Sequence, residues 1–174
     1  MKIMTKKINL KITIEETAER HPVPVLGIDY KVKIVYKNIK VAELDVEDKL
    51  IKISLPNKYK KANNERILDI AIDKMYEQIA KVEIERAMEK TRILLGFAPE
   101  DYEIRNIGNE LGRCEDDKIT INPNVVKYNR NMIDYVVLHE YCHLKYKTHC
   151  KGFIKMLEKY QPKYQEYEKI IRDI

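Results

Sequence analysis

Three of the chain's four histidines fall between positions 139 and 149, in His139-Glu140-Tyr141-Cys142-His143 and at His149. On a helix, residues four apart are separated by about 400° of rotation, so His139 and His143 project from nearly the same face, one turn apart. Two imidazoles so placed can chelate one zinc ion at about 2.0–2.1 Å each. Glu140, about 100° round the same helix, can reach a water on that metal without becoming a ligand. Continued helix would carry His149 about 9 Å further along the axis and off that face. A shared metal therefore needs the helix to break between Leu144 and Thr148. Thr148 is a good N-cap for a following helix, with His149 in its first turn.

A lone His-Glu-x-x-His is a short pattern that ordinary surface helices also carry. Here Met132 to Leu144 is apolar nearly all round, which marks a buried helix. Buried imidazoles and a buried carboxylate are costly without partners, and a metal with its water supplies them. A structural zinc closed by Cys114 or Cys150 is the competing reading, but such a site has no use for Glu140. Each cysteine taken singly reads as a packed thiol.

The elements that must position these residues are also legible. Ile8-Leu10-Ile12-Ile14, Ile28 to Tyr36, Ile39 to Leu44 and Leu50 to Leu55 alternate as strands, and Glu15 to Pro24 reads as a loop or short helical turn. This first part is expected to be a small antiparallel sheet, a meander. From Asn63 the period becomes helical through Ile67, Ile70, Met75, Ile79 and Ala87, with Asn63 or Asn64 as cap and Gly96 as stop. That helix is expected to pack on the sheet. Tyr102 to Ile107 and Lys118 to Ile121 read as short strands beside the acidic turn Glu115-Asp116-Asp117. Asn131 with Asp134 marks the start of the histidine helix, and a last helix from Phe153 to Ile171 is interrupted near Pro162. The expected class is α+β, with residues 1–27 an extension and 28–174 the main domain (sheet 28–56, helix 63–95, catalytic part 100–174).

Composition bounds the rest. With 174 residues, 44% hydrophobic and 35% charged, the chain suits one soluble globular domain. No stretch approaches the roughly 20 apolar residues that span a bilayer, and no secretory h-region is visible near the N-terminus. Three cysteines without a Cys-x-x-Cys pair argue against a disulfide framework, so a cytoplasmic location is expected. The net charge of +5 is spread among acids and reads as solvated surface, giving no independent argument for nucleic acid.

At the zinc helix and beyond it, the chain resembles the YgjP-like metallopeptidase domain, related to the WLM and SprT-type zinc proteases. The resemblance rests on motifs in order. Leu55-Pro56-x-x-Tyr59-Lys60 is similar to the segment after the family's sheet. Leu111-Gly112-Arg113-Cys114 matches its Trp-Gly-Ser-Cys in Gly and Cys, and Ile119-x-Ile121-Asn122-x-x-Val125 its following strand. Asp134 to Glu140, His143-Leu144-Lys145, His149 with Phe153, and Pro162-Lys163-Tyr164 complete it, over about residues 28–174. Leu111, Arg113 and Tyr141 depart from the family's pattern. Tyr146 stands where metzincins, which share the three-His spacing, have a Gly turn. The resemblance implies a zincin-like fold and a zinc-dependent hydrolase of peptide or protein substrates.

The expected chemistry follows. His139, His143 and His149 hold one Zn2+ whose fourth ligand is water, and Glu140 accepts that water's proton as it attacks an amide carbonyl. Arg113, Arg105 and Tyr146 are candidates to stabilise the oxyanion. The strand around Ile119–Asn122 is a candidate edge for an extended peptide, with Asn122 at the substrate. Two rivals stand beside this reading. One is a nucleoside triphosphate (UTP-type) pyrophosphatase, an activity attributed within the resembling family, although no Gly-rich phosphate loop is present. The other is a non-catalytic, metal-stabilised binding module, with DNA as its partner by analogy with the SprT-type relatives.

Overall fold

The computed structural model describes residues 22–60 and 64–173. The strand expected at Ile8 to Ile14 and the cap expected at Asn63 lie outside the described residues. The N-terminal sheet is built from β1 (Val23–Val25), β2 (Ile28–Lys37), β3 (Glu43–Glu47) and β4 (Leu50–Pro56), in the spatial order β1-β2-β4-β3. The sheet thus begins before position 28, and Val23–Val25 is a strand where a loop is expected.

The sheet is also not an antiparallel meander. β1 pairs antiparallel with β2, but β2 runs parallel to β4, and β3 lies antiparallel on the far side of β4. Two physical causes decide this. Asp48 and Lys49 both take positive φ, 42° and 66°, which makes a tight two-residue turn that ties β3 to β4. β4 is also the most apolar strand: Ile51, Ile53 and Leu55 are fully buried, so it takes the centre. β3, with Glu43 and Asp45 and with Leu44 and Val46 exposed, has the composition of an edge.

Helix α1 (Asn64–Leu95) follows and stops at Gly96, whose φ of 76° and N–H bond to the Arg92 carbonyl (2.9 Å) close the last turn. The chain then forms β5 (Asp101–Ile104), β6 (Gly112–Glu115) and β7 (Lys118–Ile121), in the order β5-β7-β6. The acidic turn holds Asp116 and Asp117 at positive φ between β6 and β7. Helices α2 (Arg130–Lys145), α3 (Lys151–Tyr160) and α4 (Tyr164–Arg172) complete the α+β fold.

α1 lies against α2 and the 3-10 turn at Pro123–Lys127, and reaches the first sheet through Tyr76, whose hydroxyl donates to the Pro24 carbonyl at 2.9 Å. An ion cluster built on the buried Glu83 and the half-buried Asp134 ties α1 to the start of α2. Glu83, 5% exposed, accepts from Arg130 (2.6 Å) and Arg86 (3.0 Å), while Asp134 accepts from Arg86 (2.8 Å) and Lys90 (2.6 Å). α2 is thereby held at its N-terminal end, roughly 7–14 Å of helix before His139.

Candidate metal centre

α2 starts two residues earlier than expected. The Asn129 side chain caps it by accepting from the Met132 N–H at 3.0 Å, while Asp134 serves the ion cluster instead. Met132, Ile133, Tyr135 to Leu138, Tyr141 and Cys142 are all buried, so the helix runs through the core as its apolar sequence requires. It ends at Lys145, where the extended Tyr146 donates its N–H to the Cys142 carbonyl at 2.9 Å. The expected break is present, but Thr148 is not the next cap. Thr148 accepts from the Cys150 N–H through its carbonyl (2.7 Å), and α3 begins at Lys151 behind Cys150. His149 therefore sits in the connecting loop, where its direction is set by that turn and by Phe153 beneath it.

The ligand atoms of His139, His143 and His149 lie within 4.8 Å of one another, with the two Nε2 atoms of His139 and His149 3.1 Å apart. Two nitrogens each about 2.0–2.1 Å from one tetrahedral ion stand about 3.3 Å apart, so the separation fits a shared metal. The buried Phe153 ring packs beneath all three imidazoles, at centroid distances of 5.0, 4.7 and 4.6 Å. His143 Nδ1 lies 3.1 Å from the Tyr146 carbonyl, which can only accept, so Nδ1 carries the proton and Nε2 presents its lone pair. His139 Nδ1 is 3.4 Å from the Tyr135 hydroxyl, a second such restraint. Burial, then the neighbouring His143 and His149, pushes the His139 pKa down to about 3, and burial lowers that of His143. Both rings are thus neutral, the form that ligates metal.

Glu140 is 6% exposed, and its carboxyl is pushed up to about 8 by burial and by the charge of Glu110. It faces a cleft of about 370 Å³ that it shares with His139, His149, Gly112 and Tyr135. Gly112 on β6 lies directly over it: a Cβ there would stand 2.7 Å from Glu140 Oε1. β6 is an edge strand, paired only with β7, and its first residue, Gly112, adjoins Glu140.

Other expected positions fall elsewhere. β7, which contains Ile119 to Ile121, is paired on both sides and has no free edge for a peptide; β6 has one. Asn122 is 1% exposed and donates to the Gly108 and Glu110 carbonyls while accepting from the Asn124 N–H, so it holds the loop before β6 and cannot touch a substrate. Arg113 is paired with both oxygens of Glu110 (2.9 Å), and Arg105 with Glu103 (2.9 Å). Tyr146 contributes its carbonyl to His143, and its ring covers Gly152, where a Cβ would meet it at 2.6 Å. Among the described residues no cysteine joins the histidine group. Cys142 is buried, and burial pushes the Cys114 thiol up to about 11 and that of Cys142 to about 12. The close approach of Gly112 and the walls from α4 carried no signal readable from spacing, whereas the Tyr135 restraint was available in its position four residues before His139 on the same helix.

The sequence matches the YgjP-like family's metallopeptidase domain over residues 2–173. The chain belongs to the YgjP-like family. Membership brings with it a metallopeptidase-type hydrolase domain, and the fold is of the expected α+β class. No curated protein matches the chain. The solved structures similar to it include two metallopeptidase zymogens. Pyrococcus abyssi abylysin is 25% identical, with 52% of this chain and 94% of that one covered and a TM-score of 0.46. Methanocaldococcus jannaschii jannalysin is 24% identical, with 53% and 90% covered and a TM-score of 0.46. No helix among the described residues is long and apolar enough to cross a membrane.

Proposed function

We propose that this YgjP-like chain is a zinc-dependent peptidase in which His139, His143 and His149 hold one Zn2+ and Glu140 is the general base. Zinc, when bound, acidifies a water and polarises the substrate carbonyl. The protein's own groups supply the rest. Tyr146 and Tyr135 orient two of the imidazoles from behind. Glu140 takes the proton of the attacking water and passes it to the leaving amine. Gly112 leaves the room that Glu140 needs, and the free edge of β6 offers an extended peptide its backbone groups. Peptide and protein substrates are thus favoured.

The observation that carries this reading is the placement of Glu140, buried beside the three imidazoles and facing the cleft rather than an ion-pair partner. A binding module or a structural metal site has no use for such a carboxylate. The triphosphate reading is disfavoured by the same cleft. Its lining holds Glu110, Glu140 and Glu168 against one guanidinium, Arg172, which is already paired with Glu168 at 3.2 Å. A polyphosphate would meet carboxylates and find no unpaired cation among the lining residues.

The test uses zinc-loaded protein on casein and on UTP. Hydrolysis of casein is expected, with Glu140→Gln lowering turnover by roughly 10²–10⁴-fold while one metal per chain remains bound. Equal casein hydrolysis by Glu140→Gln overturns the assignment; cleavage of UTP alone transfers it to phosphoanhydrides.

A further inference from the structure

Beyond the imidazoles and Glu140, the cleft continues into a pocket lined from three distant places in the chain: Leu111 before β6, Tyr135 and Val136 on α2, and Ile171 on α4. Leu111, Tyr135 and Val136 are core residues that turn a small apolar surface toward the cavity. Ile171 is half-buried in the last turn of α4 and supplies a further apolar wall of the cavity. α4 is held in place by Tyr167, which stacks on Tyr135 at 5.2 Å with the rings 23° apart, and by the buried Tyr164.

Charge at the rim is already matched. Glu110 accepts from Arg113 at 2.9 Å, and Glu168 accepts from Arg172 at 3.2 Å. A carboxylate side chain entering the pocket would meet the lining's own carboxylates, and an ammonium would have to displace Arg113 or Arg172 from Glu110 or Glu168, whereas an apolar side chain gains by leaving water.

We infer that Ile171 is the specificity-determining wall of a side-chain pocket that takes an aliphatic or aromatic residue flanking the scissile bond. The substrate class rests on the peptidase reading above; the chemistry of the pocket does not. β6 aligns the peptide backbone, and the pocket between Leu111 and Ile171 selects the side chain. The last turn of the fold thereby becomes part of the substrate site.

The experiment measures binding of amino-acid hydroxamates carrying Leu, Phe, Ala, Asp or Lys side chains to the zinc-loaded full chain by calorimetry. The Leu and Phe probes are expected to bind at least about tenfold more tightly than the Asp and Lys probes. Ile171→Phe, which fills the pocket, is expected to weaken the Phe probe about tenfold while leaving the Ala probe within about twofold. Ile171→Val, with circular dichroism on both variants, is expected to keep the wild-type order and controls for loss of α4. Asp or Lys probes binding as tightly as Leu, or an unchanged order in a folded Ile171→Phe, overturns the inference. Binding of these probes needs no turnover. Equal binding thus removes the pocket alone, and a Leu preference without casein hydrolysis removes the peptidase reading alone.

Discussion

Gly112 and Glu140 are in van der Waals contact across the junction of β6 and α2: a Cβ at Gly112 would stand 2.7 Å from Glu140 Oε1 and 2.8 Å from its Cγ. The contact places the edge strand and the proposed general base in one cleft, and it leaves no space for any side chain at position 112.

Gly112→Ala is therefore expected to fold and to bind metal, because the clashing atoms belong to a side chain rather than to backbone. The displaced Glu140 should lower kcat on a peptide substrate by roughly 10–100-fold, the usual effect of misplacing a catalytic group by about 1 Å. Metal analysis and steady-state kinetics on the same sample check this. Wild-type kcat in Gly112→Ala would show that Glu140 does not need its observed position.

Metal stoichiometry should depend on the histidines and not on the cysteines. One zinc per chain is expected in the wild type, and in Cys114→Ser and Cys150→Ser, since neither thiol joins the histidine group. His143→Ala should lower affinity by more than a hundredfold, as it removes a proposed ligand whose Nδ1 is restrained by the Tyr146 carbonyl, and loss of a mere orienting partner already costs about 10–100-fold. Competition with a chromogenic chelator reads all four proteins. Loss of zinc in either serine variant would return the structural-zinc reading.

Glu83 makes a pH prediction. Hydrogen bonds from Arg130, against the opposing effect of burial, and with further help from Arg86, hold its carboxyl below the ordinary range. A carboxyl with a lowered folded-state pKa contributes stability above its unfolded value of about 4.3, and that contribution is lost as pH falls through the folded value. Glu83→Gln should thus melt several degrees below wild type at pH 7, consistent with about 1–3 kcal/mol for a hydrogen-bonded buried charge. The gap should close below pH 4. A gap independent of pH would show that Glu83 acts by packing alone. Since the cluster anchors α2 at Arg130 and Asp134, the same variant reports how firmly the histidine helix is held.

Much of the metal centre was legible in the residues because its geometry is local. The spacing of His139 and His143 implies a shared face for any helix, and the apolar run from Met132 to Leu144 implies that this helix is buried. The break before His149 followed from the same arithmetic. The cap at Thr148 did not, because Asn129, Thr148 and Cys150 are all plausible boundary residues and only the neighbouring turns choose among them. β1 read as a loop, β6 gave no strand signal, and β3 lies at Glu43–Glu47 rather than Ile39 to Leu44, whereas strands β2, β4, β5 and β7 were readable from alternation. Partnership was not: β2 meets β4 in parallel because the Asp48-Lys49 turn claims β4's other edge for β3.

What the sequence by itself determined was a buried helix that presents two histidines on one face with a carboxylate beside the first, since helical periodicity acts over a few residues. What the tertiary structure alone decided was everything that depends on distant segments meeting. It put Gly112 over Glu140, left β6 rather than β7 as the open edge, buried Asn122 beneath its loop, and brought Ile171 round to close the cleft. Those contacts join residues tens of positions apart, and no local period encodes them; only the packing of one core around α2 does.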